Sequence, residues 1–196
     1  MWTEHLSLLD GSHLILTDFS QGMLESAKSN LSGCRNITYQ VVDIQQIPYP
    51  DDSFDIVIAN MMLYHVPDLH KGLSEVRRVL KPGGKFCCAT YGEHGIVEFV
   101  AKLLEEQNVK GCIGTTFTLQ NGGASLQKHF DSVQRWDYED SLAVTKIDNF
   151  IGYIYSLSSL SGIASVPQDV LSSALETRTE NGVLYVPKEY GMFICK

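Results

Sequence analysis

Short apolar runs alternate with stretches of helical periodicity through the first half of this 196-residue chain. Strands are predicted at 13–17, 36–42, 54–60 and 85–91, and helices at 20–31, 68–80 and 96–107. Connections of this length suit right-handed crossovers between parallel strands, with the helices covering the sheet. The pattern therefore predicts an α/β fold built on a mostly parallel sheet.

The second half of the chain has a weaker pattern. It predicts a loop at 109–117, a short helix at 119–129, a strand at 132–140, a helix after Thr145, a helix from Pro167 to Gly182, and two strand-like runs around Lys188 and Glu189. A turn is predicted earlier, at "KPGG", because proline fixes its own φ and glycine accepts positive φ. No repeat, low-complexity tract or linker interrupts the chain, so residues 1–196 are predicted to form one domain.

Composition narrows the class of function. The net charge is −8 and no run of Lys and Arg occurs, which disfavours a nucleic-acid-binding surface. The chain has no apolar run long enough to span a membrane and no signal peptide, so neither membrane insertion nor export is predicted. The five cysteines are scattered without CxxC spacing, which indicates small core residues in a reducing cytoplasm rather than a disulfide framework or a metal site.

Three consecutive predicted strands end in polar side chains: Asp18, Asp43 and Asn60. In open parallel sheets, ligands bind beyond the carboxyl ends of the strands, so these side chains are predicted to share a pocket. A carboxylate at such a position commonly accepts hydrogen bonds from both ribose hydroxyls of an adenosine, which would account for Asp18. Asp43 would accept a hydrogen bond from an adenine amine while Ile44 covers the ring. The alternative is that both carboxylates only cap nearby helix or turn amides.

The segments "LTDFSQGML", "VVDIQQIPYPDDSFDIVIANMMLYHVPD" and "EVRRVLKPGGKF" follow one another at the spacing of a known family. Together they resemble the class I, seven-stranded S-adenosylmethionine-dependent methyltransferases, especially those that act on small molecules. The resemblance covers about residues 13–91. It implies a Rossmann-like sheet closed by a C-terminal antiparallel hairpin, with Val133–Tyr138 paired to Met192–Cys195, and S-adenosyl-L-methionine as the cofactor.

The resemblance also assigns cofactor contacts to particular residues. Asp18 corresponds to the ribose-binding acid, and Phe19 and Met23 would flank the adenosine. Asp43 and Ile44 correspond to the adenine contact. Asn60 and Met61 begin the segment beside the methionine moiety. Residues 61–66 would line the place where methyl donor and acceptor meet. Residues 13–108 would then form the cofactor-binding core, and residues 109–196 an acceptor or lid region with the closing strands.

Methyl transfer from a sulfonium is an in-line displacement that depends mainly on positioning and on excluding water. A nearby base helps where the acceptor is a hydroxyl, an amine or an acidic carbon, and His65 and Tyr64 are the best-placed candidates. His94, after the fourth strand, is the next candidate. For His65 the alternative is a structural histidine that caps the following helix. The aromatic segment 150–157 is predicted to be core or a lid over the acceptor.

The chain departs from the family pattern at its start. The family's first strand and its glycine-rich "DxGxGxG" loop should lie upstream of Asp18, where only 17 residues with one glycine, Gly11, are found. Amides of that loop would cradle the methionine part of the cofactor, so weak or no cofactor binding by this chain is expected. The first strand also normally lies between the strands that end at Asp18 and Asn60. Its absence predicts exposed strand edges or a swapped sheet, with a homodimer among the outcomes.

The primary hypothesis is an S-adenosylmethionine-dependent methyltransferase, in an N-terminally truncated form, that methylates an O, N or C nucleophile of a small molecule. The second hypothesis is a non-catalytic methyltransferase-like interaction module that dimerises or pairs through exposed sheet edges. A nicotinamide-dependent enzyme also places an acid after its second strand, but the Asp43–Ile44 pair and the "KPGG" turn disfavour that function.

Overall fold

The computed structural model describes residues 11–34, 36–106, 116–156 and 163–196. In chain order its strands and helices are β1 (Leu14–Asp18), α1 (Gln21–Asn30), β2 (Ile37–Val41), β3 (Phe54–Asn60), α2 (Leu69–Val79), β4 (Leu80–Tyr91), α3 (Ile96–Glu106), α4 (Gly122–Leu126), β5 (Val133–Val144), α5 (Ile147–Ser156), α6 (Gln168–Glu176) and β6 (Leu184–Cys195). Short 3-10 helices lie at Leu63–His65 and Ile163–Ser165.

The strands form two sheets. β1 and β2 pair in parallel, and the second sheet has the order β3-β4-β6-β5, with β3 and β4 parallel and β6 antiparallel to both of its neighbours. Val133 pairs with Cys195 and Trp136 pairs with Met192, so the expected C-terminal hairpin is confirmed. The α/β fold with parallel pairing in its first half is confirmed as well.

Three strand boundaries differ from the prediction because pairing extends the strands. The two strand-like runs near the C-terminus form one strand, β6, and β5 continues to Val144 because β6 pairs with it along its whole length. β4 begins at Leu80, so the predicted "KPGG" turn lies inside the strand. The turn persists there as an irregularity: Gly83 has φ +80°, and the register of β3 against β4 shifts between Phe54 and Ile56.

The helices of the second half are shorter than predicted. α6 ends at Glu176, before Gly182, and the helix predicted at 119–129 is limited to α4. The loop predicted at 109–117 lies mostly outside the described residues. None of the described helices combines the length and the apolar composition that a membrane span requires.

Two apolar cores lie on opposite faces of the second sheet. One packs α2 and α4 against the face that carries Phe86 and Phe193. The other packs α3, α5 and α6 against the far end of the β5–β6 hairpin, around Leu184 and Val186. Because successive side chains of a strand point to opposite faces, Phe193 and Val186 direct the two cores to different sides of β6.

The outer strand β3 leaves apolar side chains uncovered. Ile56 and Ile58, two residues apart and therefore on one face, are each 56% exposed. Among the described residues no ladder of hydrogen bonds joins β1 or β2 to β3. Within the described residues, one edge of β3 therefore has no strand partner, in line with the exposed strand edges expected from the sequence.

Arg78 ties the loop between β2 and β3 to α2. Its Nη1 donates to the carbonyl of Tyr49 at 2.7 Å and to Oδ1 of Asp51 at 2.9 Å, and its Nη2 donates to the carbonyl of Ile47 at 2.9 Å. Nη2 and Nε bond the carboxylate of Glu75 at 2.7 and 2.8 Å, and that carboxylate accepts the amide of Ile47 at 2.9 Å. The bond from Arg78 lowers the pKa of Glu75. We name these five residues the Arg78 clamp.

A second tie lies at the start of the same loop. The side-chain oxygen of Gln45 accepts the backbone amide of Asp68 at 3.1 Å, which connects the loop to the N-terminus of α2. Ile44 lies over Gly72 of α2, where an added Cβ would meet the Ile44 side chain at 3.4 Å. These contacts and the Arg78 clamp hold the residues that follow β2 against the second sheet.

Replacing Arg78 with Met should loosen residues 43–53, because the bonds to two loop carbonyls and to Asp51 are lost. We expect endoproteinase Asp-N to cleave on the amino side of Asp52 several-fold faster than in the wild type, and the thermal midpoint of unfolding to fall. Arg77→Met is the matched control, because Arg77 is exposed and has no partner among the described residues. Equal cleavage rates for the two variants would contradict the role given to Arg78.

Candidate functional site

The carboxyl ends of the parallel strands carry the residues predicted to bind a ligand. Asp18 is the last residue of β1 and lies opposite Val41 of β2, so Asp18 and Asp43 are at the same end of the small sheet. Asn60 is the last residue of β3 and pairs with Ala89. The register brings the two acids to one edge, whereas Asn60 belongs to the second sheet and has no ladder contact with them among the described residues.

Within the described residues, Asp18 is held by one local bond and one of its oxygens has no partner. Its Oδ1 accepts the amide of Ser20 at 2.8 Å, and Ser20 in turn caps α1 by accepting the amide of Met23 at 3.4 Å. Its Oδ2 has no partner within the described part of the chain. Phe19 and Met23 beside it are 76% and 60% exposed, which is unusual for such apolar side chains. The capping alternative therefore accounts for one oxygen of Asp18 and leaves the other available to a ligand.

Asp43 and Ile44 are more committed to internal contacts than Asp18. The carboxylate of Asp43 accepts the amide of Gln45 at 2.8 Å and the side-chain amide of Gln45 at 3.2 and 3.3 Å. Ile44 is half-buried against Gly72 and belongs to the edge of the α2 core. Their contact with adenine stays a prediction. Ile44 also has a structural role, because it holds the loop against α2.

The chain turns sharply after Asn60. Met61 has φ +53°, a left-handed conformation, and its amide donates to the carbonyl of Ala89 at 3.0 Å. The other non-glycine residues with positive φ are of the types that tolerate it: Asn36, Asp52 and Asn181. A methionine in this region carries backbone strain, and such strain is concentrated at functional sites because the surrounding structure must maintain it.

Tyr64 and His65 lie just beyond this turn, in the 3-10 helix that Leu63 anchors in the core. The ring of Tyr64 meets the ring of Tyr91 edge-on at 4.8 Å and that of His65 at 4.5 Å. His65 is exposed, and the cap of α2 is Asp68, whose carboxylate accepts the amide of Lys71 at 3.0 Å. The alternative in which His65 caps that helix is therefore not what the structure shows.

Burial raises the pKa of the Tyr64 hydroxyl, and the nearby hydroxyls of Tyr91, Tyr190 and Tyr153 raise it further. Tyr64 is therefore protonated at neutral pH and suited to donate a hydrogen bond rather than to remove a proton. Of the two residues predicted to be catalytic, His65 is the one that can serve as a base. The four tyrosines form a connected cluster, which we call the tyrosine cluster.

The loop after β4 is fixed by a residue that the sequence analysis did not single out. Glu189 accepts the amide of His94 at 2.8 Å and the side-chain amide of Gln120 at 2.8 Å. A Cβ on Gly92 would lie 1.9 Å from the Glu189 carboxylate, and one on Gly95 would lie 2.6 Å from its backbone nitrogen. The two glycines of "YGEHG" are the sequence signal for this close approach. His94 itself is mostly exposed and lies 3.4 Å from Glu98.

A groove of about 500 Å³ opens between α5 and the β5–β6 hairpin. Its wall includes Phe150 and Tyr153 of α5 and Tyr190 of β6. The segment 150–157 was predicted to be core or a lid. Ile151 and Ile154 are buried, which confirms a core role for the described part, while Tyr153 lines the groove and a lid over the acceptor stays a prediction. Residue 157 lies outside the described residues. Within the described ranges no group of three His, Cys, Asp or Glu side chains could hold a metal ion.

Known proteins resemble this chain in both sequence and structure. Residues 2–88 match the model of a family described as a methyltransferase domain. The chain is 30% identical over 134 residues to a demethylmenaquinone methyltransferase of Clavibacter sepedonicus, covering 68% of this chain and 54% of that protein. The chain belongs to the class I S-adenosylmethionine-dependent methyltransferase family. S-adenosyl-L-methionine, the cofactor expected from the sequence, is the methyl donor of this family.

Other relatives support the same family. This chain is 39% identical over 83 residues to the ubiquinone/menaquinone biosynthesis C-methyltransferase UbiE of Rickettsia akari (strain Hartford). The match covers 41% of this chain and 34% of that protein. The chain thus spans about half the length of the Clavibacter protein and about a third of the Rickettsia protein.

Solved structures agree on the methyltransferase fold. The YcgJ protein of Bacillus subtilis superposes with a TM-score of 0.63 at 21% identity, covering 93% of this chain and 81% of that one. Phosphoethanolamine N-methyltransferase 2 of Haemonchus contortus, solved with S-adenosyl-L-methionine, superposes with a TM-score of 0.58 at 18% identity, covering 99% of this chain and 45% of that one. At these identities the likeness establishes the fold.

The left-handed conformation of Met61 predicts an unusual response to substitution. Met61→Gly should leave the free energy of unfolding unchanged or raise it by up to about 1 kcal/mol, because glycine adopts positive φ without strain. Met61→Val should lower it by about 1–2 kcal/mol, because a β-branched residue disfavours this region. Urea denaturation measures both.

Met62→Gly is the matched control, since Met62 has φ −136° and gains nothing from glycine. It should lose about 0.5–1 kcal/mol. If glycine destabilised positions 61 and 62 equally, strain at Met61 would be ruled out.

Proposed function

We propose that this chain binds the nucleoside end of S-adenosyl-L-methionine at the carboxyl end of β1 and serves methyl transfer to a small-molecule acceptor beside Tyr64 and His65. The observation that carries the proposal is Asp18. Its carboxylate is oriented by the amide of Ser20 and keeps Oδ2 free among the described residues, and the nearby residues Phe19 and Met23 have exposed side chains. A carboxylate with this setting suits two vicinal hydroxyls with an apolar ring beside them.

The residues present fit the nucleoside half of the cofactor. Asp18 would accept the ribose hydroxyls, and Phe19 with Met23 would cover the adenosine, which explains why these two apolar side chains are left exposed. Asp43 and Ile44 would meet the adenine edge, and Asn60 with Met61 would lie beside the methionine part. When bound, S-adenosyl-L-methionine supplies an electrophilic methyl group on a sulfonium.

The acceptor side is proposed to lie on the second sheet. Tyr64 would donate a hydrogen bond to an acceptor oxygen, since burial keeps its pKa above the ordinary value. His65 would take up the proton that the acceptor loses. The names of the relatives, demethylmenaquinone methyltransferase and UbiE, favour carbon methylation of a quinone-type ring. The division into a cofactor core at 13–108 and an acceptor region at 109–196 is part of this proposal, and a cytoplasmic location stays a prediction.

The cofactor proposal predicts that the 196-residue chain recognises the nucleoside more than the amino-acid end. Calorimetry should show that 5′-methylthioadenosine and S-adenosylhomocysteine bind with affinities within about tenfold, both weaker than micromolar, because no glycine-rich loop occurs in the sequence. Asp18→Asn should weaken both ligands by about tenfold or more, because the variant replaces the acceptor of two hydroxyl bonds with an amide.

His65→Asn is the matched variant for this measurement, since His65 is exposed and is assigned to the acceptor side. It should leave both affinities unchanged. Micromolar binding of S-adenosylhomocysteine would refute the expected weakness, and equal affinities for Asp18→Asn and the wild type would refute the nucleoside site.

A second function is favoured by the uncovered face of β3. Ile56 and Ile58 are each 56% exposed on an outer strand, which suits pairing with another chain, including a second copy of this one. Such a chain would act as an interaction module, and a homodimer is its simplest form.

Light scattering after size-exclusion chromatography tests the interaction module. We expect a concentration-dependent dimer in the wild type and a shift to monomer in Ile58→Lys, because a charge on the exposed face opposes association. Val41→Lys is the control, as Val41 is 45% exposed on the other sheet. A strict monomer at all concentrations, or an equal effect of both variants, would count against pairing through β3.

A further inference from the structure

The groove between α5 and the β5–β6 hairpin differs in charge from the rest of the molecule. The chain has a net charge of −8, yet none of the described residues that line the groove is acidic and two of them are lysines. Lys146 is exposed and has no partner among the described residues. Lys188 bonds the carboxylate of Asp140 and lies 4.9 Å above the ring of Tyr190. Because Asp140 compensates the charge of Lys188, the positive charge that an anionic group can meet in the groove is that of Lys146.

The body of the groove is apolar and flat. Its apolar wall comes from three strand and helix residues, Ile96, Leu142 and Val144, together with the aromatic rings of α5. The rings of Phe150 and Tyr153 are nearly parallel, with planes 20° apart and centroids at 6.0 Å. Thr145 and Asn149 add polar atoms at the same wall. A volume of about 500 Å³ lies within the range of small-molecule sites.

Side-chain and strand contacts link the wall of the groove to the candidate acceptor site. Tyr190, which lines the groove, pairs with Tyr91 in the β4–β6 ladder. Tyr91 in turn contacts Tyr64 with ring centroids 4.8 Å apart. The tyrosine cluster thus leads from the segment after β3, where methyl transfer is proposed, to the wall of the groove.

The geometry points to this groove as the binding site for a flat aromatic ring that carries an anionic oxygen, with the ring against Phe150 and Tyr153 and the anion beside Lys146. This inference rests on the proposed function, because it identifies the ligand as the methyl acceptor. The anionic oxygen belongs to either a phenolate or a carboxylate, since both present the same charge to Lys146. Neither lysine is assigned a part in cofactor binding.

Calorimetry without cofactor tests the inference with two probes of matched shape, 2-naphthoate and neutral 2-naphthamide. The wild type should bind naphthoate about fivefold more tightly than naphthamide, as expected for a partly exposed ion pair. Lys146→Gln should remove that preference and leave naphthamide binding unchanged. Lys28→Gln is the control, because Lys28 is an exposed lysine of α1 outside the groove. Tyr153→Ala should weaken both probes alike, through loss of the aromatic wall.

The source of the anion is distinguished by titrating bound 4-nitrophenol by absorbance. A lowered pKa of the bound phenol supports a phenolate ligand, and an unchanged pKa together with the naphthoate preference supports a carboxylate. Equal affinity for naphthoate and naphthamide, or a preference that survives in Lys146→Gln, would overturn the inference. These measurements need no cofactor. A result that refutes the groove therefore leaves the nucleoside site standing, and the Asp18→Asn measurement tests the nucleoside site independently.

Discussion

The relation between the two sheets depends on the hydrogen bonds of one guanidinium group. Within the described residues, β1 and β2 have no ladder contact with β3, so the loop 43–53 and its side-chain bonds connect them. Arg78 meets two carbonyls of that loop and the carboxylates of Asp51 and Glu75, and each of these groups is polar and otherwise needs water. Charge-assisted bonds in a shared network reinforce one another. The position of Asp43 relative to the end of β3 therefore follows from α2, on which Arg78 lies.

The strand-end acids show how a fold orients a binding group before any ligand is present. A backbone amide fixes Asp18 through one oxygen, and the other oxygen has no partner among the described residues, so little side-chain freedom remains to be lost on binding. Asp43 has the same bond to a following amide but receives the Gln45 side chain as well. The same Gln45 reaches Asp68 at the start of α2, which couples the orientation of Asp43 to the second sheet. The two acids thus differ: one is open to a ligand and the other also helps to hold the loop.

Local patterns in the sequence predict the first half of the fold well. The apolar run of β3 was expected at Phe54–Asn60 and lies there, and the helices expected from residues 20 and 68 begin there, with Ser20 and Asp68 as their caps. Both depend on neighbouring residues alone. The continuity of β6 through Lys188 and Glu189 was missed because it depends on pairing with β5, and the bond from Glu189 to His94 joins residues 95 positions apart. The groove likewise combines residues from Ile96 to Tyr190, so no short segment could reveal it.

The proposed sites for the methyl donor and the methyl acceptor lie on different sheets. The nucleoside end is assigned to β1 and its neighbour, whereas Tyr64, His65 and the groove belong to the second sheet. In-line methyl transfer is sensitive to displacements of about 1 Å, since the rate depends on alignment more than on acid–base strength. The Arg78 clamp, together with the Gln45–Asp68 bond and the contact of Ile44 with Gly72, holds the loop between the two sheets in place. Its residues touch neither proposed ligand, yet the alignment of donor and acceptor depends on them, which makes them positioning residues of the proposed site.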